Sequence, residues 1–322
     1  MTNDSRQPGA VGFIAEKKVD MGWWMALNLR KSLSKSTTLY IYDIAIPVLD
    51  DFVALAQSLN LGVVVVCRDA REVADKADVS FTIVPEGRHV RDVFLDPTNG
   101  LLAGSVGDKT FVDCSTIDTA TSFAVSKAVA QASPTAYFYD APVSGGTTGA
   151  EAGTITFMAG ACEDDANFQT LVKPLLKMMG KNIFCLGGQS LGLVAKLANN
   201  YLSGTQAIAT SEAMNIGIRH GIDPKLLSEV FKKSSGNNYT NEFQNPVPGV
   251  CPGVPTSNGY KGGFKIQLMV KDITLAMESA KEVDAKLVLG EAGLAAYAAA
   301  AEDPRCKGLD SRVIYRWLGG KE

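Results

Sequence analysis

Val11-Gly12-Phe13-Ile14-Ala15-Glu16-Lys17-Lys18-Val19-Asp20-Met21-Gly22 carries the chain from a short apolar run into a helical one. Val11–Ile14 has the composition of a strand, and the segment from Gly22 through Met25-Ala26-Leu27-Asn28-Leu29 that of a helix. The next β-rich run, Thr38–Tyr42, closes on Asp43, about 20 positions beyond Gly22. Strand, turn, helix, strand and acid in this order form the layout that binds a dinucleotide. The turn amides meet the pyrophosphate and the acid takes the adenosine ribose hydroxyls. An acid at Asp43 repels a 2′-phosphate, which favours NAD and disfavours NADP. The turn itself departs from the pattern. Of three expected glycines only Gly22 remains, the one that lets helix and strand pack closely. Lys17 and Lys18 offer phosphate a charge in place of backbone amides, while Glu16 and Asp20 repel it. Two readings stand: a dinucleotide site with an altered turn, or a surface loop on a domain that no longer binds a nucleotide well.

The same alternation continues through the first half. Val11–Ile14, Thr38–Tyr42, Gly62–Val66, Val79–Val84, Thr110–Asp113 and Ala136–Asp140 read as short apolar strands separated by helix-length segments. That is the signature of a parallel sheet covered on both faces, an α/β domain of Rossmann type with a doubly wound sheet. A seventh run, Thr154–Ala159, follows a glycine-rich turn and is expected as an edge strand. After residue 164 helical periods dominate, in Asp165–Met178, Leu191–His220, Pro224–Ser234, Gln267–Glu282 and Leu289–Ala301. Asp223-Pro224 marks one helix start as N-cap followed by proline. The pattern predicts a dinucleotide-binding domain over 1–164 and an all-helical substrate and dimerisation domain over 165–322. Leu191–His220, roughly 45 Å long at 1.5 Å per residue, would join them. Between Ser235 and Gly263 lies a Pro/Gly/Asn-rich stretch without helical period.

With 322 residues, 46% of them hydrophobic and 20% charged, the chain has ample material for two ordinary domains. The net charge of −3 is interspersed, without the basic face that nucleic acid or an anionic membrane requires. The longest apolar run, around Leu61 to Cys67, is too short to span a bilayer. The six cysteines form no CxxC pair, and two histidines give no zinc-site spacing. The N-terminus has neither an apolar core nor an Arg-rich amphipathic stretch. The expectation is a reduced, cytoplasmic, metal-free protein that binds neither nucleic acid nor membrane.

Three later motifs narrow the function. Asp140-Ala141-Pro142-Val143-Ser144-Gly145-Gly146 offers a hydroxyl and free backbone amides in a tight turn, suited to gripping a carboxylate. Gly192-Leu-Val-Ala-Lys196-Leu-Ala-Asn199-Asn200 places Lys196, Asn199 and Asn200 at i, i+3 and i+4, on one side of a helix, with Leu193, Val194, Leu197 and Ala198 around the lysine. Phe264 and Lys271-Asp272 follow at the start of a later helix. In their order and wording these motifs resemble the β-hydroxyacid dehydrogenases. Asn245-Pro-Val-Pro-Gly-Val-Cys-Pro-Gly-Val-Pro255 is similar to one branch, the 3-hydroxyisobutyrate dehydrogenases. The similarity runs from about Val11 to Ala280.

The resemblance implies an NAD-dependent oxidoreductase that transfers hydride between a small 3-hydroxy acid and the nucleotide. It makes Lys196 the acid/base at the substrate hydroxyl, and gives catalytic or substrate-binding roles to Ser144, Gly145, Gly146 and Asn200. It places Phe13, Ile14, Gly22, Asp43, Val84, Pro85, Thr116, Phe264 and Lys271 against the cofactor. It also implies pairing of helical domains into a homodimer or homotetramer. Imine reductases share the architecture but usually replace this lysine, so Lys196 argues for a hydroxy acid. Because of the altered turn, two alternatives stay open. One is a nucleotide-independent lyase or isomerase acting on a carboxylated substrate; the other is a non-catalytic relative.

Overall fold

The computed structural model describes residues 8–15 and 21–322. Glu16–Asp20, the heart of the altered turn, lie outside the described residues, as do residues 1–7. The chain divides into two compact units, Met1–Lys196 and Leu197–Glu322.

The first unit is built on β1 (Ala10–Ala15), α1 (Met21–Ser32), β2 (Thr38–Asp43), α2 (Ile46–Ser58), β3 (Val64–Val66), α3 (Ala70–Lys76), β4 (Val79–Ile83), α4 (Gly87–Leu95), β5 (Thr110–Asp113), α5 (Thr119–Ala132) and β6 (Tyr137–Asp140). All six strands are parallel, in the order β3-β2-β1-β4-β5-β6. The direction of winding reverses between β1 and β4, which is where open α/β sheets bind ligands, beyond the carboxyl ends of the strands. Side chains alternate between two cores. Val11, Phe13, Leu39, Ile41, Val79, Phe81 and Val112 face one, with Met25 and Leu29 of α1 and Phe52 of α2. Ile14, Phe111 and Phe138 face the other, with Val73 of α3, Phe94 of α4 and Val125 of α5. Strands buried on both sides explain why these runs read as continuously apolar. Asp69 and Asp118 cap α3 and α5 by accepting from Glu72 N and Thr121 N.

A second, smaller sheet completes this unit. It joins β7 (Val143–Ser144), β8 (Ile155–Ala159) and β9 (Gly180–Cys185), with α6 (Gly146–Glu151) between the first two. The run expected as an edge strand is therefore the middle strand of a separate sheet, antiparallel to β7 and parallel to β9. Between β8 and β9 the expected helix over 165–178 is a π-helical stretch, Phe168–Val172, continued by α7 (Lys173–Lys177). These segments also move the expected boundary at 164. Phe168, Val172, Leu175, Leu176 and Met179 pack in the same core as Val11 and Phe13, so residues 165–196 belong with the first unit.

Helix α8 (Leu191–Arg219) begins in the first unit and continues into the second. The second unit adds α9 (Pro224–Lys232), α10 (Tyr239–Phe243), α11 (Ile266–Glu282), α12 (Gly290–Glu302) and α13 (Ile314–Trp317). Asp223 caps α9 by accepting from Leu226 N at 2.9 Å, with Pro224 in its first turn. Its larger core gathers Ile266, Met269 and Ile273 of α11 with Tyr297 and Ala300 of α12 and Ile314 of α13. The Pro/Gly/Asn-rich stretch contains α10 and is pinned through its polar groups. The Tyr260 hydroxyl donates to Pro246 O at 2.8 Å, and Asn241 Nδ2 to Ser228 O at 3.1 Å.

Candidate active site

The carboxyl ends of the parallel strands bring together the predicted cofactor residues of the first unit. Phe13 and Ile14 are buried near the end of β1. Gly22 opens α1 against them: a Cβ there would stand 2.8 Å from Ala15 Cβ and 2.9 Å from Ile83 Cγ2. Only a glycine lets α1 approach β1 and β4 this closely, the role assigned to the third glycine of a dinucleotide turn. Asp43 ends β2, nearly buried, with Oδ1 accepting from Ala45 N at 2.7 Å. A cleft lined by Phe13, Gly22, Trp23, Asp43, Leu49 and Phe52 lies beside it. The packing glycine and the acid at the end of β2 thus fit the adenosine half of a nicotinamide dinucleotide. The phosphate-facing turn lies outside the described residues.

Val84 and Pro85 follow β4, and Thr116 follows β5. A buried polar network ties these two ends together. Asp113, 1% exposed, accepts from Thr82 Oγ1 at 2.7 Å and from Ser115 Oγ at 2.6 Å. Ser115 Oγ accepts in turn from Val84 N at 2.9 Å. Burial pushes the Asp113 carboxyl above its ordinary range, against the downward pull of the Ser115 and Thr82 hydrogen bonds. On the neighbouring strand, Asp140 is register partner to Asp113 and leads into the Ala141–Gly146 turn. Ser144 is half-buried in β7, while Gly145 and Gly146 are exposed at φ of +137° and +64°. That backbone suits glycine, and it leaves their amides at the surface of the turn. Lys196, 7% exposed, lies in the second turn of α8. A lysine so nearly buried is not the solvated face residue that a helical lysine usually is.

The second unit holds the remaining predicted residues. Asn200, one helical turn beyond Lys196, donates through Nδ2 to Asp272 Oδ2 at 2.5 Å and accepts through Oδ1 from Asn199 Nδ2 at 3.1 Å. Asp272, 1% exposed, also pairs with Lys271 Nζ at 3.1 Å. A carboxylate can only accept, so Asp272 fixes which end of the Asn200 amide points toward it. Phe264 is set by its backbone: its N–H donates to Asp310 Oδ2 at 2.9 Å and its carbonyl accepts from Ser311 N at 2.8 Å.

Two family models match in tandem. Residues 19–187 match the NAD binding domain of 6-phosphogluconate dehydrogenase, and residues 190–318 match the NAD-binding domain of NADP-dependent 3-hydroxyisobutyrate dehydrogenase. The 3-hydroxyisobutyrate dehydrogenase of Pseudomonas aeruginosa is 41% identical over 79% of this chain and 83% of its own length. The chain belongs to the β-hydroxyacid dehydrogenase family. It is an oxidoreductase built for a nicotinamide dinucleotide. The NAD-dependent L-serine dehydrogenase of P. aeruginosa is 39% identical over 86% of this chain and 88% of its own. Among solved structures, 3-hydroxyisobutyrate dehydrogenase of Mycobacterium tuberculosis with L-serine superposes with a TM-score of 0.83. It is 29% identical and covers 97% of this chain and 99% of its own.

Against this β-hydroxyacid dehydrogenase background, the first family match begins past β1 and most of the altered turn, the segment where the sequence itself departs. Three residues escaped the sequence reading as site components: Asp113, Asp140 and, beyond its pairing with Lys271, Asp272. Each is a carboxylate with at least one partner far along the chain, 31 positions away for Asp113, 50 for Asp140 and 72 for Asp272, and those partners are not announced by local spacing. Among the described residues no helix is long and apolar enough to cross a membrane, and no cluster of His, Cys, Asp and Glu could hold a metal ion.

Proposed function

We propose that this protein oxidises a small 3-hydroxy acid with NAD, Lys196 serving as acid/base. The observation that carries the reading is the near-complete burial of Lys196 on α8, within the Gly192–Asn200 stretch whose resemblance to the family's catalytic helix implies an acid/base lysine there. A nicotinamide dinucleotide, when bound, supplies the hydride acceptor. The rest of the work falls to this chain. Lys196 Nζ takes the proton of the substrate hydroxyl as the carbinol becomes a carbonyl, and returns one in the reverse direction. Ser144 Oγ and the amides of Gly145 and Gly146 hold the carboxylate. Asn200, its amide set by Asp272, hydrogen-bonds the substrate. Phe13, Ile14, Gly22, Asp43, Val84, Pro85 and Thr116 from the first unit, and Phe264 and Lys271 from the second, are the proposed cofactor contacts. Asp43 supports NAD over NADP, since its carboxylate favours ribose hydroxyls and repels a 2′-phosphate.

The substrates named for the two P. aeruginosa relatives share one pattern, a carboxylate with a hydroxyl on the third carbon, and we assign this chain to that class. We further propose a cytoplasmic homodimer or homotetramer, supported by exposed apolar side chains on α8 such as Leu202 and Ile216. Incubation of the purified protein with 3-hydroxyisobutyrate or L-serine and NAD is expected to produce nicotinamide reduction that saturates with the acid. Absence of reduction with either acid and with either nucleotide overturns the reading. The second reading rests on the turn that keeps only Gly22. Turnover of a carboxylated substrate that requires Lys196 but no added nucleotide would establish it.

A further inference from the structure

Asp140 is the last residue of β6 and the residue before the turn that offers Ser144, Gly145 and Gly146. Its carboxylate does not reach solvent; the residue is 1% exposed. Oδ1 accepts from Ser190 N at 2.7 Å and Oδ2 from Leu193 N at 2.9 Å. Ser190 immediately precedes α8, and Leu193 lies in its first turn. Both oxygens are therefore spent on backbone donors that a helix start leaves without intrahelical partners. Two glycines make room. A Cβ at Gly192 would stand 2.7 Å from Oδ2 and collide with Met158 O, and a Cβ at Gly160 would overlap Oδ1. Strand, helix start and carboxylate close on one another only because these positions are glycine.

We infer that Asp140 is a positioning residue for the reaction: by anchoring the first turn of α8 to the start of the Ala141–Gly146 turn, it sets where Lys196 stands relative to the carboxylate grip. The inference rests on the proposed acid/base role of Lys196. Asp140 is covalently one residue from that turn, and its hydrogen bond to Leu193 ends three residues short of Lys196. The link is thus short and made of stiff parts, a strand end and a helical turn. Asparagine would not serve equally, because its amide presents one acceptor and one donor to two N–H groups.

The energetics agree with a positioning role. Burial raises the Asp140 carboxyl from 3.8 to about 6, against the downward pull of the Leu193 and Ser190 amides, with the Asp113 charge adding to the rise. A raised carboxyl contributes stability below its unfolded value that is lost as pH climbs through the folded one, so ionisation here costs folding stability between about 4 and 6. The charge is retained although it does not stabilise the fold. The charged group that acts on it is Asp113 on β5; β8 and the segment 186–190 carry no titratable side chain.

The test compares wild type with D140N, using 3-hydroxyisobutyrate and NAD. D140N is expected to lose about 10²-fold in kcat, the scale of a small misplacement of a reacting group. Its KM for the nucleotide should be unchanged, and the acid limb of wild-type kcat near pH 6 should be missing. A folded D140N with wild-type kcat and the same acid limb overturns the inference. Amide exchange of the wild type needs neither the variant nor turnover. Protection at Ser190 and Leu193, relative to the rest of α8, is expected to change as pH passes through about 6, where the carboxylate that accepts from both amides gains a proton, and protection that stays flat across that range overturns the anchor. A wild type that turns over no 3-hydroxy acid counts against the proposed reaction, while the exchange measurement still decides the anchor.

Discussion

Replacing Lys196 by methionine is expected to lower kcat by about 10²–10⁴-fold, the span that a positioned acid/base group contributes. Methionine keeps the length and apolar stem of lysine but carries no proton to exchange. The surroundings, 7% exposed at this position, should accept it without loss of fold. Arginine separates charge from proton transfer. It keeps the positive charge but does not give up a proton in proteins, so K196R should fail nearly as badly as K196M. Neither substitution should change the affinity for the nucleotide alone, because the proposed cofactor residues of the first unit lie at or just after strand ends and in α1, not on α8. A K196R enzyme with wild-type kcat would show that the proton goes elsewhere.

Replacing Arg30 by methionine is expected to cost about 2–4 kcal/mol of folding stability, read as a shift in the urea midpoint. Arg30 sits on α1 with no exposed surface. Its guanidinium gathers backbone carbonyls: Nη1 donates to Thr37 O at 2.5 Å and Val63 O at 3.3 Å, and Nη2 to Leu33 O at 3.1 Å and Ser34 O at 2.5 Å. It therefore ties the end of α1 to the start of β2 and the approach to β3. Methionine fills much of the volume but leaves those oxygens facing an apolar chain. A loss below about 1 kcal/mol would mean that water or relaxed backbone replaces the guanidinium. Because α1 also carries Gly22 in its first turn, such a loss should also appear as weaker nucleotide binding.

Much of this was legible in the sequence, for identifiable reasons. The central strands β1, β4 and β5 are buried on both faces, so they read as apolar runs, and Thr110–Asp113 falls where expected to the residue. Gly22 and Asp43 could be proposed because a dinucleotide layout fixes their spacing, whereas Lys196 and Asn200 could be proposed only because the Gly192–Asn200 stretch resembles the family's catalytic helix; helical spacing alone puts them on one side and no more. The second sheet was hidden. β7 is only Val143–Ser144, and β9 shows two exposed residues, Lys181 and Asn182, next to buried Gly180, without the alternation that marks a strand. The domain boundary moved because residues 165–178 have helical composition yet bury Phe168, Val172 and Leu176 in the first core. The anchoring acids needed the tertiary structure, since an Asp at a strand end becomes meaningful only when its distant partners are seen. Gly160 and Gly192 were the one local hint, two glycines where nothing but close backbone approach requires them.

The altered turn makes nucleotide binding the point on which the functional reading depends. The most direct measurement is a titration of the purified protein with NADH and with NADPH, followed by nicotinamide fluorescence. The expected result is saturable binding of NADH, tighter than NADPH because Asp43 stands at the end of β2 where a 2′-phosphate would lie. Saturable binding of neither nucleotide would contradict an NAD-dependent dehydrogenase.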